Sequence, residues 1–313
     1  MGIAVDGKEK YYNQLYAFLK DNGYLYDRHE NLKWRRGFSD YYRIFAWNED
    51  LCERIRTEYG YNAKNVLLLN SKKFYVISEY YQKDVSVANL RCGIIFLLLG
   101  CLLDHLLDAG DTNQRCKAKR KLSWEYCGDY FCGNTNMKED DVIDALYMEL
   151  ANVFKKIRGE TPQLYTHILE ILNKAINAEL NVVSSTTLDS EKMIMNKSVL
   201  FVVIAGMIGM HDAADIEKIE SLFYKMGEAF SIIDDLCDCF EDADCGQKNL
   251  VNIMKKDFGE EKTIMMLGDR LNKTMLQLQR TTSSKIYAMI LQQIQEWTMS
   301  NSYIRERVWL DNG

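Results

Sequence analysis

Proline is nearly absent from this chain, because Pro162 is the only one among 313 residues. Proline breaks helices and marks loops, so its scarcity favours long uninterrupted helices. No stretch rich in serine, proline or glycine separates one half of the chain from the other. The sequence therefore predicts a single α-helical domain over residues 1–313.

Three other patterns are also missing. The nine cysteines include no Cys-x-x-Cys pair and are odd in number, which predicts reduced thiols and a cytoplasmic location. The net charge is −6 and the lysines and arginines are scattered, which argues against a nucleic-acid partner. The first residues lack an apolar signal core, and the apolar run 92–103 is too short to span a bilayer. We expect no stable membrane insertion.

The spacing of the apolar residues is helical through almost the whole chain. They recur every three or four positions, whereas alternating patterns typical of strands are scarce. This periodicity predicts helices near 8–21, 39–58, 70–83, 86–108, 116–131, 138–157, 162–184, 190–209, 213–242, 259–279 and 283–301. The predicted fold class is all-α.

Two of these helices are apolar around most of their circumference and end in acidic residues. Residues 87–107 lead to Asp104, Asp108 and Asp111, and residues 216–240 lead to Asp234, Asp235, Asp238, Glu241 and Asp242. Asp111 and Asp242 are expected to extend the two acidic faces by one more turn. A helix that is apolar on all sides belongs in a core. Carboxylates in its last turns are therefore expected at the rim of a cavity.

A spacing of four residues places two carboxylates one turn apart on one helix face. Such like charges at a helix C-terminus repel each other and oppose the helix dipole, at a cost on the order of 0.3–1 kcal/mol each. A single acidic cluster is usually a solvated face, but two at the ends of apolar helices suggest cation binding. Hard oxygen ligands with no histidine or cysteine cluster nearby favour Mg²⁺, whose shell substrate phosphates can complete. Two facing clamps of this kind could hold Mg²⁺ around a diphosphate leaving group.

The second acidic segment carries a recognisable motif. Residues 227–242, GEAFSIIDDLCDCFED, resemble the second aspartate-rich motif of the trans-prenyl diphosphate synthases, GxxFQxxDDxxD. Residues 104–108, DHLLD, resemble the first motif, DDxxD, with His105 in place of its second aspartate. The resemblance covers roughly residues 85–310 and implies a class I isoprenoid synthase: an orthogonal helical bundle, a prenyl diphosphate substrate, three Mg²⁺ ions with substrate bound, and a homodimer.

The same resemblance assigns roles to individual residues. It implies that Asp104, Asp108, Asp234 and Asp238 carry the catalysis by binding Mg²⁺, and that Asp242 assists them. Lys197, in a Lys-Ser pair, and Lys248, in the stretch GQKNL, resemble the lysines that bind the diphosphate. Arg305 resembles the basic tail that closes over the site.

Three departures from the family distinguish the possible reactions. The basic Gly-Lys-Arg stretch before the first motif is reduced to Lys64 and Lys72, and the Arg-Arg pair after it to Arg115 and Lys117. The glutamine of chain-elongating enzymes is also missing near residues 177–181. Loss of the isopentenyl diphosphate site favours a terpene synthase, which ionises one allylic diphosphate and cyclises or quenches the cation. A trans-polyprenyl diphosphate synthase and a non-catalytic subunit or scaffold of the same fold remain as alternatives.

Two residues that precede the first motif on the same predicted helix are candidates for contact with the prenyl chain. Gly100 and Phe96 lie one and two turns before Asp104, on the same helix face. The resemblance implies that a small residue at position 100 leaves a deep pocket for a chain of about C15–C20, with Phe230 lining the substrate site from the second motif. Gly100 has an equally simple interpretation as a point of close helix packing.

Overall fold

The computed structural model of the chain describes residues 2–25, 48–81, 86–108, 110–134, 138–181, 187–213 and 215–311. Within these ranges there are fourteen helices and no strand, which confirms the all-α class. The helices are α1 (Gly2–Asp21), α2 (Glu49–Tyr59), α3 (Lys64–Tyr81), α4 (Val87–Asp108), α5 (Thr112–Leu122), α6 (Trp124–Phe131), α7 (Val142–Glu160), α8 (Pro162–Asn181), α9 (Thr187–Gly209), α10 (Ile216–Cys245), α11 (Leu250–Phe258), α12 (Glu260–Thr281), α13 (Ser284–Thr298) and α14 (Ser302–Asp311).

The chain divides into two compact units, each built from separated segments. The first unit contains Met1–Gly37, Ser184–Met195 and Lys225–Gly313, and the second contains Phe38–Val183 and Asn196–Tyr224. The expectation of one isoprenoid synthase domain over the whole chain stays a prediction.

The core of the second unit is built around α4. This helix packs against α3, α5 and α7 and is buried on most of its surface, as its nearly uniform apolar composition predicts. Gly93 permits the closest approach, because a Cβ there would lie 2.5 Å from the Ala205 carbonyl oxygen of α9 and 2.7 Å from the Phe74 ring of α3. The glycine therefore fixes the position of α4 against two neighbours.

A buried ionic network supports the same unit. The ammonium of Lys121 contacts the carboxylates of Asp141 at 2.8 Å and of Asp144 at 2.6 Å, and all three side chains are buried. Tyr126 donates its hydroxyl to Asp144 at 2.6 Å. Buried charges persist only when paired and hydrogen-bonded, and these meet that condition.

In the first unit, α1 packs against α12 and α14, and α12 packs against α11 and α13. Two buried tyrosines of α1 also donate to carbonyl oxygens of α10: Tyr11 to Leu236 at 2.7 Å and Tyr12 to Cys237 at 3.0 Å. A helical main-chain carbonyl can accept a second hydrogen bond, so the tyrosines bind α1 to the acidic end of α10 without breaking the hydrogen bonds of that helix.

Several predicted helix limits were wrong. The segment predicted at 116–131 is two helices, because Ser123 is extended at φ −62° and ψ 146°. Helices α11 and α14 were not predicted as separate elements, and α3 begins six residues before the predicted limit. The part of the predicted helix at 39–47 lies outside the described residues.

Helix α4 alters one expectation about membranes. Over its full 22 residues it is long and apolar enough to cross a bilayer by length and composition alone, whereas the apolar run 92–103 is not. Within the second unit, 61% of its most apolar stretch is buried, as in the central helix of a core.

Candidate functional site

The residues predicted for the site fall into two groups, one in each unit. The second unit contains Phe96, Gly100, Asp104, Asp108 and Lys197. The first unit contains Phe230, Asp234, Asp238, Asp242, Lys248 and Arg305.

The first aspartate cluster, Asp104 and Asp108, forms the last turn of α4. His105 points elsewhere and stacks on the ring of Tyr61, with 4.6 Å between ring centroids. Because α4 ends at Asp108, Asp111 does not continue the same face. It caps α5 instead and accepts the backbone N–H of Gln114 at 2.9 Å.

Lys197 joins this cluster from α9. Its ammonium lies 2.8 Å from a carboxylate oxygen of Asp104 and 3.4 Å from one of Glu179, on α8. Burial would lower the pKa of Lys197, but Asp104, Glu179 and Asp108 outweigh it and hold that pKa above its ordinary value. A predicted metal ligand and a predicted diphosphate ligand are thus in direct contact.

Glu179 was missed by the sequence analysis. Its side chain is only 9% exposed. Burial, opposed by Lys197 and reinforced by Asp104 and Asp108, raises the pKa of Glu179 from 4.5 to about 7. The one available signal was its position within the segment 177–181, where elongating enzymes carry a glutamine.

An apolar floor lies below these polar groups. The same three helices contribute to it one or two turns away, with Phe96 and Gly100 on α4, Ile176 on α8 and Phe201 on α9. The lining also includes one residue each from α5, α6 and α7, namely Leu122, Phe131 and Tyr147. The cavity they enclose measures only about 10 Å³, room for roughly one water molecule. The deep pocket predicted at Gly100 is filled by the Phe201 ring, which would lie 3.2 Å from a Cβ on that glycine.

The basic residues that follow the first cluster have other partners. Arg115 donates to the main-chain carbonyl of Asp108 at 2.9 Å. Lys117 pairs with the buried carboxylate of Asp141 and lies over the ring of Tyr59. Both residues are thus engaged within the second unit.

The second aspartate cluster is Asp234, Asp238 and Asp242, on one face of α10. Burial, followed by the neighbouring charges of Glu241 and Asp242, raises the pKa of Asp238 from 3.8 to about 6. Burial and the two neighbouring negative charges thus both disfavour the ionised form of Asp238.

Two side chains of the first unit hold the ends of this cluster. Trp297, on α13, donates its indole N–H to Asp234 at 2.6 Å and stacks on Phe230 with 5.8 Å between ring centroids. Asn249, fully buried, donates to Asp242 at 2.8 Å and to the Asp235 carbonyl at 2.9 Å. The Asn249 side-chain oxygen also caps α11.

Lys248 and Arg305, the predicted diphosphate ligands of the first unit, have different surroundings. Lys248 is half-buried in the turn between α10 and α11, next to Asn249. Arg305, on α14, lies over the ring of Trp309 and contacts the carbonyl of Met299 at 3.5 Å.

Within the described ranges, no three histidine, cysteine or acidic side chains lie close enough together to hold a metal ion. Magnesium in phosphate-handling sites requires less, since one or two carboxylates suffice when waters and substrate phosphates complete the shell. The paired carboxylates of each cluster and the raised pKa of Asp238 fit that smaller requirement.

Comparison of the chain with models of known protein families and with curated proteins gives no match. The fold and these two sites define an all-α protein with two carboxylate clusters at helix ends.

Proposed function

We propose that the chain is a class I isoprenoid synthase with the isoprenoid synthase fold. Its reaction is the Mg²⁺-dependent ionisation of an allylic prenyl diphosphate of about C15–C20, followed by cyclisation or quenching to a terpene. Three Mg²⁺ ions with substrate bound, a homodimer and a cytoplasmic location come from the sequence analysis and are part of the same proposal.

The observation that carries the proposal is the arrangement of Asp104, Glu179 and Lys197 above an apolar floor. Three helices each place a charged side chain at one level and apolar side chains below it. A diphosphate needs cations and an allylic chain needs apolar walls. This arrangement puts an ammonium and two carboxyl groups directly above such walls, which supports the proposal.

The residues of the chain have distinct tasks in this reaction. Lys197 binds the diphosphate as a point charge once a cation has taken its place beside Asp104. Phe96 excludes water from the allylic chain, and an aromatic ring face favours positive charge. The Phe201 ring must move away from Gly100 to admit the chain. Asp104 and Asp108 in the second unit, and Asp234 and Asp238 in the first, would each hold Mg²⁺, and the metal would supply neutralisation of charge on a leaving diphosphate.

The contacts that Arg115 and Lys117 make within the second unit favour ionisation of one diphosphate over chain elongation with a second. A condensing enzyme needs basic residues for a second diphosphate, and within the second unit these two are already bound to Asp108 and Asp141. A terpene synthase binds one diphosphate and needs neither residue.

The test is incubation of the purified chain and Mg²⁺ with C10, C15 and C20 allylic diphosphates, each with and without isopentenyl diphosphate. Products are analysed by gas chromatography, with and without phosphatase. We expect hydrocarbons or alcohols without isopentenyl diphosphate or phosphatase. Longer diphosphates that form only with isopentenyl diphosphate would identify a polyprenyl diphosphate synthase instead.

Variants then connect the activity to the clusters. Asp104→Ala and Asp234→Ala should each abolish turnover and leave the helical circular dichroism unchanged. Asp129→Ala and Asp269→Ala are matched controls, since each removes an exposed aspartate from one unit. Full activity in either cluster variant would refute the assignment of these residues.

The filled cavity favours one other candidate, a non-catalytic subunit or scaffold of the same fold. A space of about 10 Å³ accepts no prenyl chain unless Phe201 moves. Thermal unfolding with pyrophosphate and Mg²⁺ distinguishes the two candidates. An enzyme should gain about 2.7 kcal/mol at a ligand concentration of 100 Kd, whereas a scaffold without the site gains nothing.

A further inference from the structure

Trp297 spans one full turn of α10 within the first unit. Its ring stacks on Phe230 with an interplanar angle of 23°, and its N–H reaches Asp234 one turn further along the helix. Phe230 is buried, while Trp297 is 37% exposed. A single side chain of α13 therefore contacts both an apolar and an acidic residue of the second motif.

Packing against Phe230 does not by itself explain the hydrogen bond from Trp297 to Asp234. A half-exposed indole can donate its N–H to water, so stacking on Phe230 alone would not require a carboxylate partner. The indole N–H of Trp297 lies 2.6 Å from the carboxylate of Asp234, and a hydrogen bond to an ionised acceptor is about twice as strong as a neutral one. Such a bond fixes the rotation of the carboxylate.

A neutral donor is compatible with cation binding at the same carboxylate. An ionised carboxylate has two oxygens with about four acceptor sites, so one N–H does not exhaust it. Carboxylates that bind metals are commonly oriented by such donors. Loss of the donor typically costs 10–100-fold in metal affinity or activity.

We propose that Trp297 is a positioning residue that orients Asp234 for divalent cation binding. Phe230 holds the indole ring, and the indole N–H holds the carboxylate. This inference rests on the proposed function, because that function makes Asp234 a metal ligand. Nothing in the sequence pattern around residue 297 indicated this role.

The test uses Mn²⁺, a hard cation that can be followed by electron paramagnetic resonance, with the full chain and inorganic pyrophosphate. Trp297→Phe keeps an aromatic ring on Phe230 and removes the N–H donor together with part of the indole ring system. We expect the Kd for Mn²⁺ to rise 10–100-fold with no change in circular dichroism. Trp124→Phe, the same substitution at a half-exposed indole of α6 in the second unit, should leave the Kd unchanged.

A double-mutant cycle separates positioning from a general structural effect. In an Asp234→Asn background, Trp297→Phe should have no further effect on the Kd, because the carboxylate it orients is gone. An equal rise of the Kd in both backgrounds would overturn the inference, and so would an unchanged Kd in Trp297→Phe alone.

The outcome for Trp297 and the outcome for the proposed function can be told apart. Weaker Mn²⁺ binding by Trp297→Phe, in a wild type that turns over no prenyl diphosphate, supports the inference and refutes the function. Turnover by the wild type, together with unchanged Mn²⁺ binding by Trp297→Phe, supports the function and refutes the inference. A wild type that binds no Mn²⁺ with or without pyrophosphate overturns both.

Discussion

Replacement of Glu179 by glutamine should make the second unit more stable at neutral pH. Glutamine resembles the protonated carboxylic acid in shape and is neutral. In the wild type, burial raises the pKa of Glu179 from 4.5 in the unfolded chain to about 7 in the folded protein. At pH 7 and above, folding of the wild type therefore includes the cost of burying an ionised carboxylate. The glutamine variant has no such cost, because its side chain is neutral.

The sign and size of the effect follow from proton linkage. Below pH 4.5, Glu179 is protonated in both the folded and the unfolded chain, and its favourable contribution to the unfolding free energy has its full value. As the pH rises through about 7 that contribution is lost. Each pH unit in the interval is worth about 1.4 kcal/mol, so the whole interval amounts to about 3 kcal/mol.

The assay is urea unfolding of wild type and Glu179→Gln between pH 4.5 and 8, with chelator present so that no cation changes the field at Asp104. The difference in unfolding free energy should grow by about 3 kcal/mol in favour of the variant across this range. Glu170→Gln, at an exposed position on the same helix, is the matched control. A difference that does not change with pH would refute the reasoning about burial.

Three further predictions concern packing and charge. Phe201→Ala should open the cavity at Gly100 and lower the KM for C15 or C20 diphosphates. Its unfolding free energy should fall by less than the about 3–5 kcal/mol typical of a fully buried phenylalanine. An unchanged KM would mean that Phe201 does not limit the pocket. Asp238→Asn should raise the Tm in chelator, because it removes a carboxylate whose charge is disfavoured by burial and by the neighbouring acidic groups. Asp141→Asn should lower the Tm by removing a partner of Lys121, and shifts of the same sign would contradict this account. Gly206→Ala should cost about 1–3 kcal/mol in urea unfolding, because a Cβ there would lie 2.4 Å from the Phe223 ring, and a neutral result would show that this ring can move.

Much of the helical framework could be predicted from local pattern. The limits of α4 were predicted to within one residue, because a nearly uniform apolar run bounded by acidic residues leaves little choice. Pro162 begins α8, as proline at a first helical position should. Helices α11 and α14 were not predicted, because they are only 9 and 10 residues long and too short for the apolar spacing to indicate a helix. The break at Ser123 carries no proline or glycine and so gave no signal.

The site could be predicted only in part. The family resemblance assigned Lys197 and Asp104 to one diphosphate site, and the structure places the two side chains in contact, while their roles stay predictions. Glu179 and Trp297 could not be found in this way. Their partners Lys197 and Asp234 lie 18 and 63 positions away, and such contacts depend on how helices pack rather than on any local period. The filled pocket has the same cause, because the Phe201 ring comes from a different helix than Gly100.

The two units also contain acidic groups whose opposite environments indicate opposite roles. At Asp141, burial favours the neutral acid, but hydrogen bonds from Lys117 and Lys121 outweigh it and hold the pKa below its usual range. At Asp238, burial acts together with the charges of Glu241 and Asp242, and the pKa rises to about 6. The first carboxylate is neutralised by the protein itself, which is how a structural ion pair behaves. The second shows a charge conflict that an added cation would relieve, and groups perturbed in this way are concentrated at functional sites. For this reason the end of α10, rather than the more deeply buried network around Lys121, is where a divalent cation should stabilise the protein.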